Sequence, residues 1–266
     1  MTSQAQTIGT LLRQWRQRRR LSQLALALDA GISQRHLSFV ESGRSRPSRD
    51  MVLALSRQLD VPLRDRNVLL HTAGYAPTFP QRPIDAPELS VAREIVERIL
   101  NGHLPHPALA VDRHWTLLSA NAAVSPLLAK VAPHLLEGDV NVLRLSLHPE
   151  GLAPRILNLA EWRHHILHRL DRDIERSADP SLAALRDELV SFPGPRAQLG
   201  HVAAQTDTAI AIPLRLRSER GPLTFLSTST VFGTAVEVTL SEVVIETFFP
   251  ADTETANAMS AFLQGS

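Results

Sequence analysis

Two short helical segments joined by a single glycine turn constrain the first part of this chain more than any other feature. Ser22 and Ser33 each precede a run with helical apolar spacing, and serine is a favoured residue at a helix N-cap. Between the runs, Ala30-Gly31-Ile32 predicts a tight turn, and Gly43 supplies a left-handed stop after the second run. The spacing therefore predicts a helix-turn-helix over residues 22–42.

Three further helical segments surround this pair. The first is predicted over residues 7–20, where apolar residues recur at helical spacing. The fourth begins at Ser48 and ends before Val61-Pro62, and the fifth covers residues 63–73. We therefore expect an all-α domain of five helices in residues 1–77, followed by a proline-rich linker over residues 78–90.

The charge of the chain is unevenly distributed. Residues 1–77 contain 12 Arg, no Lys and 5 acidic residues, whereas residues 78–266 contain 16 basic and 22 acidic residues. The first part therefore carries +7 and the second −6, although the whole chain has a formal net charge of only +1. A basic N-terminal unit indicates a nucleic-acid-binding module, with solvated surface charge as the plain alternative.

The segment LSQLALALDAGISQRHLSFVESGRSRPS resembles the XRE (Cro/CI-type phage repressor) family of five-helix DNA-binding domains. In such a domain the second helix of the motif enters the major groove of DNA. The resemblance implies base-reading side chains and phosphate-binding side chains. The base-reading set is Gln34, Arg35, Ser38 and Phe39, and the phosphate-binding set is Gln23, Ser33, Arg44 and Arg46.

The chemistry of these side chains suits those roles. A glutamine amide can read adenine, a guanidinium can read guanine, and Phe39 can contact only a thymine methyl. The resemblance also implies that Gln23 braces Gln34, and that Arg16 and Glu41 form a buried ion pair, with exposed surface charges as the alternative. Antitoxins share the fold, so a use other than operator binding stays open.

Residues 91–266 have a different pattern. A helix is predicted at residues 90–101, with Val91, Ile95, Val96 and Ile99 on its inward face. Two short strands follow, then a helical stretch over 155–190, a hairpin around residues 219–221, another strand and a last helix at 253–263. This order predicts an α+β domain with a small antiparallel sheet.

Two stretches of the second domain resemble known sensor domains. ALAVDRHWTLLSANAAVSPLLA resembles the opening of a PAS domain, and FLSTSTVFGTAVEVTLSEVVIETFFPADTETANAM resembles the C-terminal part of the MmyB-like, PAS-like ligand-binding domain. That resemblance implies a small-molecule effector, which in some members of the family is a fatty-acyl chain. We expect a small, largely aliphatic ligand of this kind and no other cofactor, held between the sheet and the helix at 159–176.

Individual ligand contacts are predicted only as candidates. The apolar candidates, which core packing would equally explain, are Trp162, Ile166, Phe192, Phe225 and Phe232. The candidates for binding a polar head group, each of which could be ordinary surface charge, are Arg144, His148, Arg155 and Arg163. His164 and His168 have the spacing of metal ligands on a helix, but no nearby acid completes a recognised site, so no metal is expected.

Together the sequence predicts a dimeric, ligand-responsive transcription regulator that binds double-stranded DNA. The chain has no cysteine and no run of 18 apolar residues, which favours a cytoplasmic location without a membrane span. One alternative is a second domain that only dimerises or binds a protein. The other is an enzyme with an attached DNA-binding domain, although no catalytic constellation is recognisable. Whether DNA binding represses or activates is left open.

Overall fold

The computed structural model describes residues 7–194 and 211–264. These residues form two compact units. The first comprises the residues before Ile84 together with Thr234–Ser241, and the second contains the remainder. The first unit is therefore discontinuous in sequence, and it includes part of the segment predicted as a linker.

The helices predicted in the first unit are present. They are α1 (Ile8–Arg18), α2 (Gln23–Asp29), α3 (Gln34–Glu41), α4 (Arg49–Gln58) and α5 (Leu63–Thr72). Thr7, Ser22, Ser33 and Ser48 each accept a hydrogen bond from a backbone N–H of the helix that they cap. Gly31 and Gly43 have φ of 66° and 74°, so the two glycines end α2 and α3 in the left-handed conformation.

A close approach between α1 and α3 fixes the position of the second helix of the motif. A Cβ atom at Gly9 would lie 2.3 Å from the carbonyl oxygen of Val40, so only glycine permits this packing. Leu12 of α1, Leu26 of α2, and Leu37 and Val40 of α3 are fully buried in the core of this unit. The first unit thus has its own apolar core, which is separate from the cores of the second unit.

The second unit has the α+β architecture that the sequence predicts. Its helices are α6 (Ser90–Gly102), α7 (Ser125–Leu128), α8 (Val142–Leu147), α9 (Leu159–Ser177), α10 (Pro180–Ser191) and α12 (Thr253–Gln264). The intervening helix, α11 (Val238–Ser241), belongs to the first unit. Its strands are β1 (Ala108–Val111), β2 (Leu117–Ala120), β3 (Leu214–Ser218), β4 (Gly221–Val231) and β5 (Val244–Pro250). Each pair of neighbours in the order β2-β1-β5-β4-β3 is antiparallel. Of the predicted hairpin segment, residues 208–210 lie outside the described residues.

The two faces of the sheet have separate cores because side chains alternate along each strand. On one face, Ala108, Ala110 and Ile245 pack with α6. On the other, Leu216 and Phe225 belong to a larger core with α9, α10 and α12.

The predicted inward face of α6 is wrong for three of its four residues. Val96 is buried, but Val91, Ile95 and Ile99 are 66%, 41% and 37% exposed. Apolar residues occupy a wide arc of this helix, and the sheet covers only the side that carries Val96 and Leu100. Spacing alone could not show which side of such an arc would be buried.

The connection between β4 and β5 joins the first unit. It contains α11 (Val238–Ser241), which contacts α5. Val238 donates its backbone N–H to the carbonyl of Pro80, and the Thr239 hydroxyl donates to the carbonyl of Arg82 at 2.5 Å. The buried carboxylate of Glu237 accepts the backbone N–H of Arg82 at 2.8 Å. Residues 80–82 and 237–239 are thus held together by main-chain and side-chain hydrogen bonds.

Residues 78–83 form a strap at the end of the continuous part of the first unit. Asn67 accepts the backbone N–H groups of Thr78 and Phe79 and donates to the carbonyl of Phe79. Residues 78 and 79 are therefore held against α5. In the part of the chain that the structure describes, no helix has the length and apolar character needed to span a membrane.

Candidate nucleic-acid interface and ligand cavity

Helix α3 presents a polar and basic surface. Gln34 and Arg35 are exposed in its first turn, and Ser38 and Phe39 are half-buried one turn later. The guanidinium groups of Arg35 and Arg44 lie 5.3 and 6.0 Å from the centre of the Phe39 ring. Phe39 is thus a platform that orients two cations on the α3 surface.

The expected phosphate-binding residues lie around α3 in different environments. Arg44 is exposed just after the helix, whereas Arg46 donates twice to the carbonyl of Ala73 at the end of α5. The Ser33 hydroxyl caps α3, and the amide of Gln23 donates to Glu41 rather than bracing Gln34. Arg44 is therefore the member of this set with the fewest ties to the fold, and Arg46 and Gln23 also stabilise it.

Arg16 and Glu41 form a buried ion pair that joins α1 to α3. The Nε and Nη2 atoms of Arg16 donate to the two carboxylate oxygens at 2.6 and 2.8 Å, and the Gln23 amide adds a third bond at 2.8 Å. Burial alone would raise the pKa of Glu41. Because the hydrogen bonds from Arg16 and Gln23 and the charges of Arg16 and Arg13 outweigh burial, its pKa lies below the usual value of 4.5. The carboxylate is therefore ionised at neutral pH and holds α3 against α1.

The second unit contains a partly open cavity of about 120 Å³ between the sheet and α9. Side chains of all five strands contribute to its wall, together with α7, α8 and α9. Most of that wall is leucine, valine, isoleucine and aromatic carbon, which suits a small apolar ligand.

One side of the cavity is polar. Arg169 of α9 donates to both carboxylate oxygens of Glu246 of β5, at 3.1 and 2.6 Å, and to the hydroxyl of Ser229 at 2.8 Å. Its guanidinium lies 4.4 Å from the centre of the Trp115 ring. Glu246 is only 4% exposed, so this pair closes part of the wall as a buried, charge-balanced unit.

Three other polar residues line the same cavity. Ser146 accepts the indole N–H of Trp162 at 3.0 Å, and His165 stacks on Trp162 with ring centres 5.4 Å apart. Burial lowers the pKa of His165, the charges of Arg169 and Arg172 lower it further, and Glu246 opposes them. His165 is therefore neutral at pH 7 and contributes no charge. The third polar residue is Ser227 of β4.

The structure brings together part of the predicted ligand set. Trp162, Ile166 and Phe225 line the cavity. Phe192 packs beside the core of the unit and lies 5.0 Å from His148 between ring centres, and Phe232 packs on the opposite face of the sheet. These two residues are outside the cavity wall.

The predicted basic head-group residues lie elsewhere. Arg144 is paired with Glu188, and Arg155 donates to the carbonyl groups of Leu127 and Arg217. Arg163 donates to carbonyl groups at the end of α10, and His148 accepts the backbone N–H of Glu150. Arg169 and Glu246, the charged groups of the cavity wall, were not among the predicted ligand contacts.

The described residues contain one group of three potential metal-binding side chains, and this group does not include His164 or His168. His164 and His168 are exposed on α9, away from the cavity wall. Among the described residues, the donor atoms of His134, His148 and Glu150 lie within 4.8 Å of one another, but His134 and Glu150 are exposed. Exposed groups of this kind are common without a metal.

Comparisons with known proteins agree with both units. Residues 12–65 match the helix-turn-helix family model, and residues 92–261 match the model of the MmyB-like transcription regulator ligand binding domain. No curated protein matches the chain. The second match covers more than half of the 266 residues. The chain is a transcription regulator that belongs to the MmyB-like ligand-binding-domain family and carries an N-terminal helix-turn-helix domain.

Proposed function

We propose that this regulator binds a two-fold symmetric operator as a homodimer, and that a small, largely aliphatic effector in the cavity changes its affinity for DNA. The observation that carries the proposal is the cavity itself, whose predominantly apolar wall lies in the ligand-binding domain. We propose no catalytic activity, since both matched families are regulator domains.

The DNA-binding part of the proposal rests on α3 and its surroundings. Gln34 and Arg35 extend from the first turn of the second motif helix, the position from which such helices contact base edges. Arg44 extends the basic surface beyond the helix. Arg35 and Gln34 would read bases, and Arg44 would neutralise phosphate.

The connection between β4 and β5 offers a route for coupling. Strands β4 and β5 supply Ser227, Glu246 and Phe248 to the cavity wall. Only two residues separate each of these strands from the segment 234–241, which packs with α5 in the first unit. A ligand that favours one arrangement of the strands therefore also biases this segment, and an effector can shift DNA binding only through such a difference between states.

We expect Glu237→Ala to uncouple the two functions. The substitution removes the buried acceptor for the backbone N–H groups of Arg82 and Leu240, so it weakens the attachment of the segment to residues 80–82 and leaves the bonds from Val238 and Thr239 in place. Effector affinity should stay within about twofold, whereas the change in operator affinity on effector binding should fall by roughly fivefold or more. Calorimetry for the effector and fluorescence anisotropy for the operator measure the two quantities.

The exposed acid Glu175 provides the matched control. Glu175→Ala also removes one negative charge but lies on α9, so it should keep the full response to the effector. A Glu237→Ala protein that responds as strongly as the parent would show that this connection does not carry the coupling.

The homodimer is proposed from α6 of the second unit. Val91, Ile95 and Ile99 form an exposed stripe with a spacing of four residues. Glu94 and Arg98 border the stripe, so in an antiparallel pair of α6 helices each copy would place opposite charges beside the other's. A second copy of this chain is therefore the occupant that suits the stripe, and a dimer would present two α3 helices to two half-sites.

We expect Ile95→Glu to produce a monomer at micromolar concentration, because it buries a charge in the apolar stripe. Operator affinity should fall with dimerisation, while the fold of each unit should persist because Ile95 is 41% exposed. Analytical ultracentrifugation compares this variant with Glu97→Ala, which changes the opposite side of α6. A monomeric parent protein, with and without DNA, would refute the dimer.

A further inference from the structure

We propose that the effector is an uncharged molecule with an aliphatic body and one or two hydrogen-bonding groups, such as an alcohol, ketone, ester or lactone, and that Glu246 excludes free carboxylates. The inference deepens the proposed function and depends on it. It rests on how the charged wall of the cavity is already paired.

Arg169 is the cationic residue of the cavity wall, and three hydrogen bonds and a ring contact already hold its guanidinium. Both terminal nitrogens donate to Glu246, one also donates to Ser229, and its face lies on Trp115. A further acid, Asp173, lies one turn along α9, and the charge of Arg169 lowers the pKa of Asp173 against the stronger effect of burial, which raises it. The positive charge of Arg169 is thus already balanced by acidic residues of the protein, so an anionic ligand is not needed to neutralise it.

A ligand carboxylate would meet an unfavourable environment. To reach Arg169, it would have to share the guanidinium with Glu246 or displace it. Glu246 is 4% exposed and sits at the cavity wall, so either route places two carboxylates together or leaves one buried without its partner. Both arrangements are costly in a desolvated site.

The polar groups with spare hydrogen-bonding capacity are neutral. The hydroxyl of Ser146 already accepts a bond from Trp162, so its own hydrogen is available to donate. Ser227 presents a second hydroxyl, and the imidazole of His165 can donate or accept. These groups can bind a hydroxyl or a carbonyl without the desolvation of a charge.

The size of the cavity sets the length of the ligand. At about 120 Å³ it is similar to protein cavities of roughly 150 Å³ that enclose benzene. It therefore encloses a short molecule, or the end of a longer one. An eight-carbon series tests the head group while keeping the aliphatic part constant.

The experiment measures the binding of 1-octanol, 2-octanone and octanoate to the full chain, freed of any carried-over ligand, by calorimetry at pH 7.5. At this pH octanoate is ionised. We expect the two neutral compounds to bind and octanoate to bind at least about tenfold more weakly, because its charge must be desolvated beside Glu246.

Two variants separate the role of Glu246 from a general effect on folding. Glu246→Gln keeps the side-chain shape but leaves Arg169 without its charge partner, so octanoate should bind about tenfold more tightly than to the parent, through an Arg–carboxylate pair. Ser146→Ala should weaken binding of 1-octanol severalfold without any gain for octanoate, since it removes a neutral donor.

The outcomes distinguish this inference from the proposed function. Octanoate binding the parent as tightly as 1-octanol would overturn the exclusion of carboxylates and leave an aliphatic effector standing. A Glu246→Gln protein that folds and gains no affinity for octanoate would also overturn it. If none of the three compounds binds the parent, both the proposed cavity ligand and this inference fail.

Discussion

Replacing Glu41 by alanine should lower the free energy of unfolding of the N-terminal unit by about 3–5 kcal/mol. Glu41 accepts two bonds from Arg16 and one from Gln23, and the side chains of Arg16 and Glu41 are only 11% and 3% exposed. The substitution leaves a guanidinium buried without its carboxylate. Hydrogen exchange of the backbone amides in α1 and α3 measures the loss directly in the full chain.

Asp29→Ala is the matched control for this prediction. Asp29 is an exposed acid in the same unit, so its removal should change stability by no more than about 0.5 kcal/mol. The parent should also lose stability as the pH falls through the region below 4.5, because a carboxylate whose pKa is depressed on folding stabilises only while ionised. Unchanged exchange rates in Glu41→Ala would mean that the pair contributes nothing to stability.

Arg35→Ala should weaken operator binding by about 1–3 kcal/mol, a factor of roughly 5 to 150, with a much smaller effect on random DNA. Arg35 is exposed in the first turn of α3, where a guanidinium can contact a base edge. Arg44→Ala should instead weaken both kinds of DNA about equally. It should also reduce the steepness of the salt dependence by about 0.9 in the log–log slope for each subunit of the dimer, because each subunit loses one phosphate contact.

Titration of each variant against operator and random duplexes over a range of salt concentrations tests the two roles together. Phe39 positions both guanidinium groups, so the comparison changes one cation of the same surface at a time. If Arg35→Ala leaves the ratio of operator to random affinity unchanged, Arg35 does not read bases.

The N-terminal unit could be predicted because its structure is specified locally. Each of Ser22, Ser33 and Ser48 caps the helix that follows it, and Gly31 and Gly43 end helices as their freedom in φ permits. Caps, turns and helical periodicity act within a few residues of sequence. Gln23 shows the limit of this reasoning, since its bond to Glu41 depends on the packing of α2 against α3.

The polar wall of the cavity could not be predicted in this way. Arg169 and Glu246 lie 77 positions apart, and their contact depends on the placement of α9 over one face of the sheet. In the apolar segment VIETFFP, Glu246 gives no sign of burial, and the register of β5 with β4 places it beside Ser229. The membership of residues 234–241 in the first unit likewise depends on long-range bonds such as that from Arg82 to Glu237.

Operator titration with and without a cavity ligand tests most directly whether a ligand in the cavity controls DNA binding. Native mass spectrometry of the purified chain identifies any bound compound, which then serves as the ligand in the titration. If no compound is bound, 1-octanol serves as the ligand. The parent should change its operator affinity by about fivefold or more when the ligand saturates it. Ser227→Phe, which fills part of the cavity, should bind the operator without responding. If the operator affinity of the parent stays the same when a ligand is demonstrably bound, the cavity ligand does not control DNA binding.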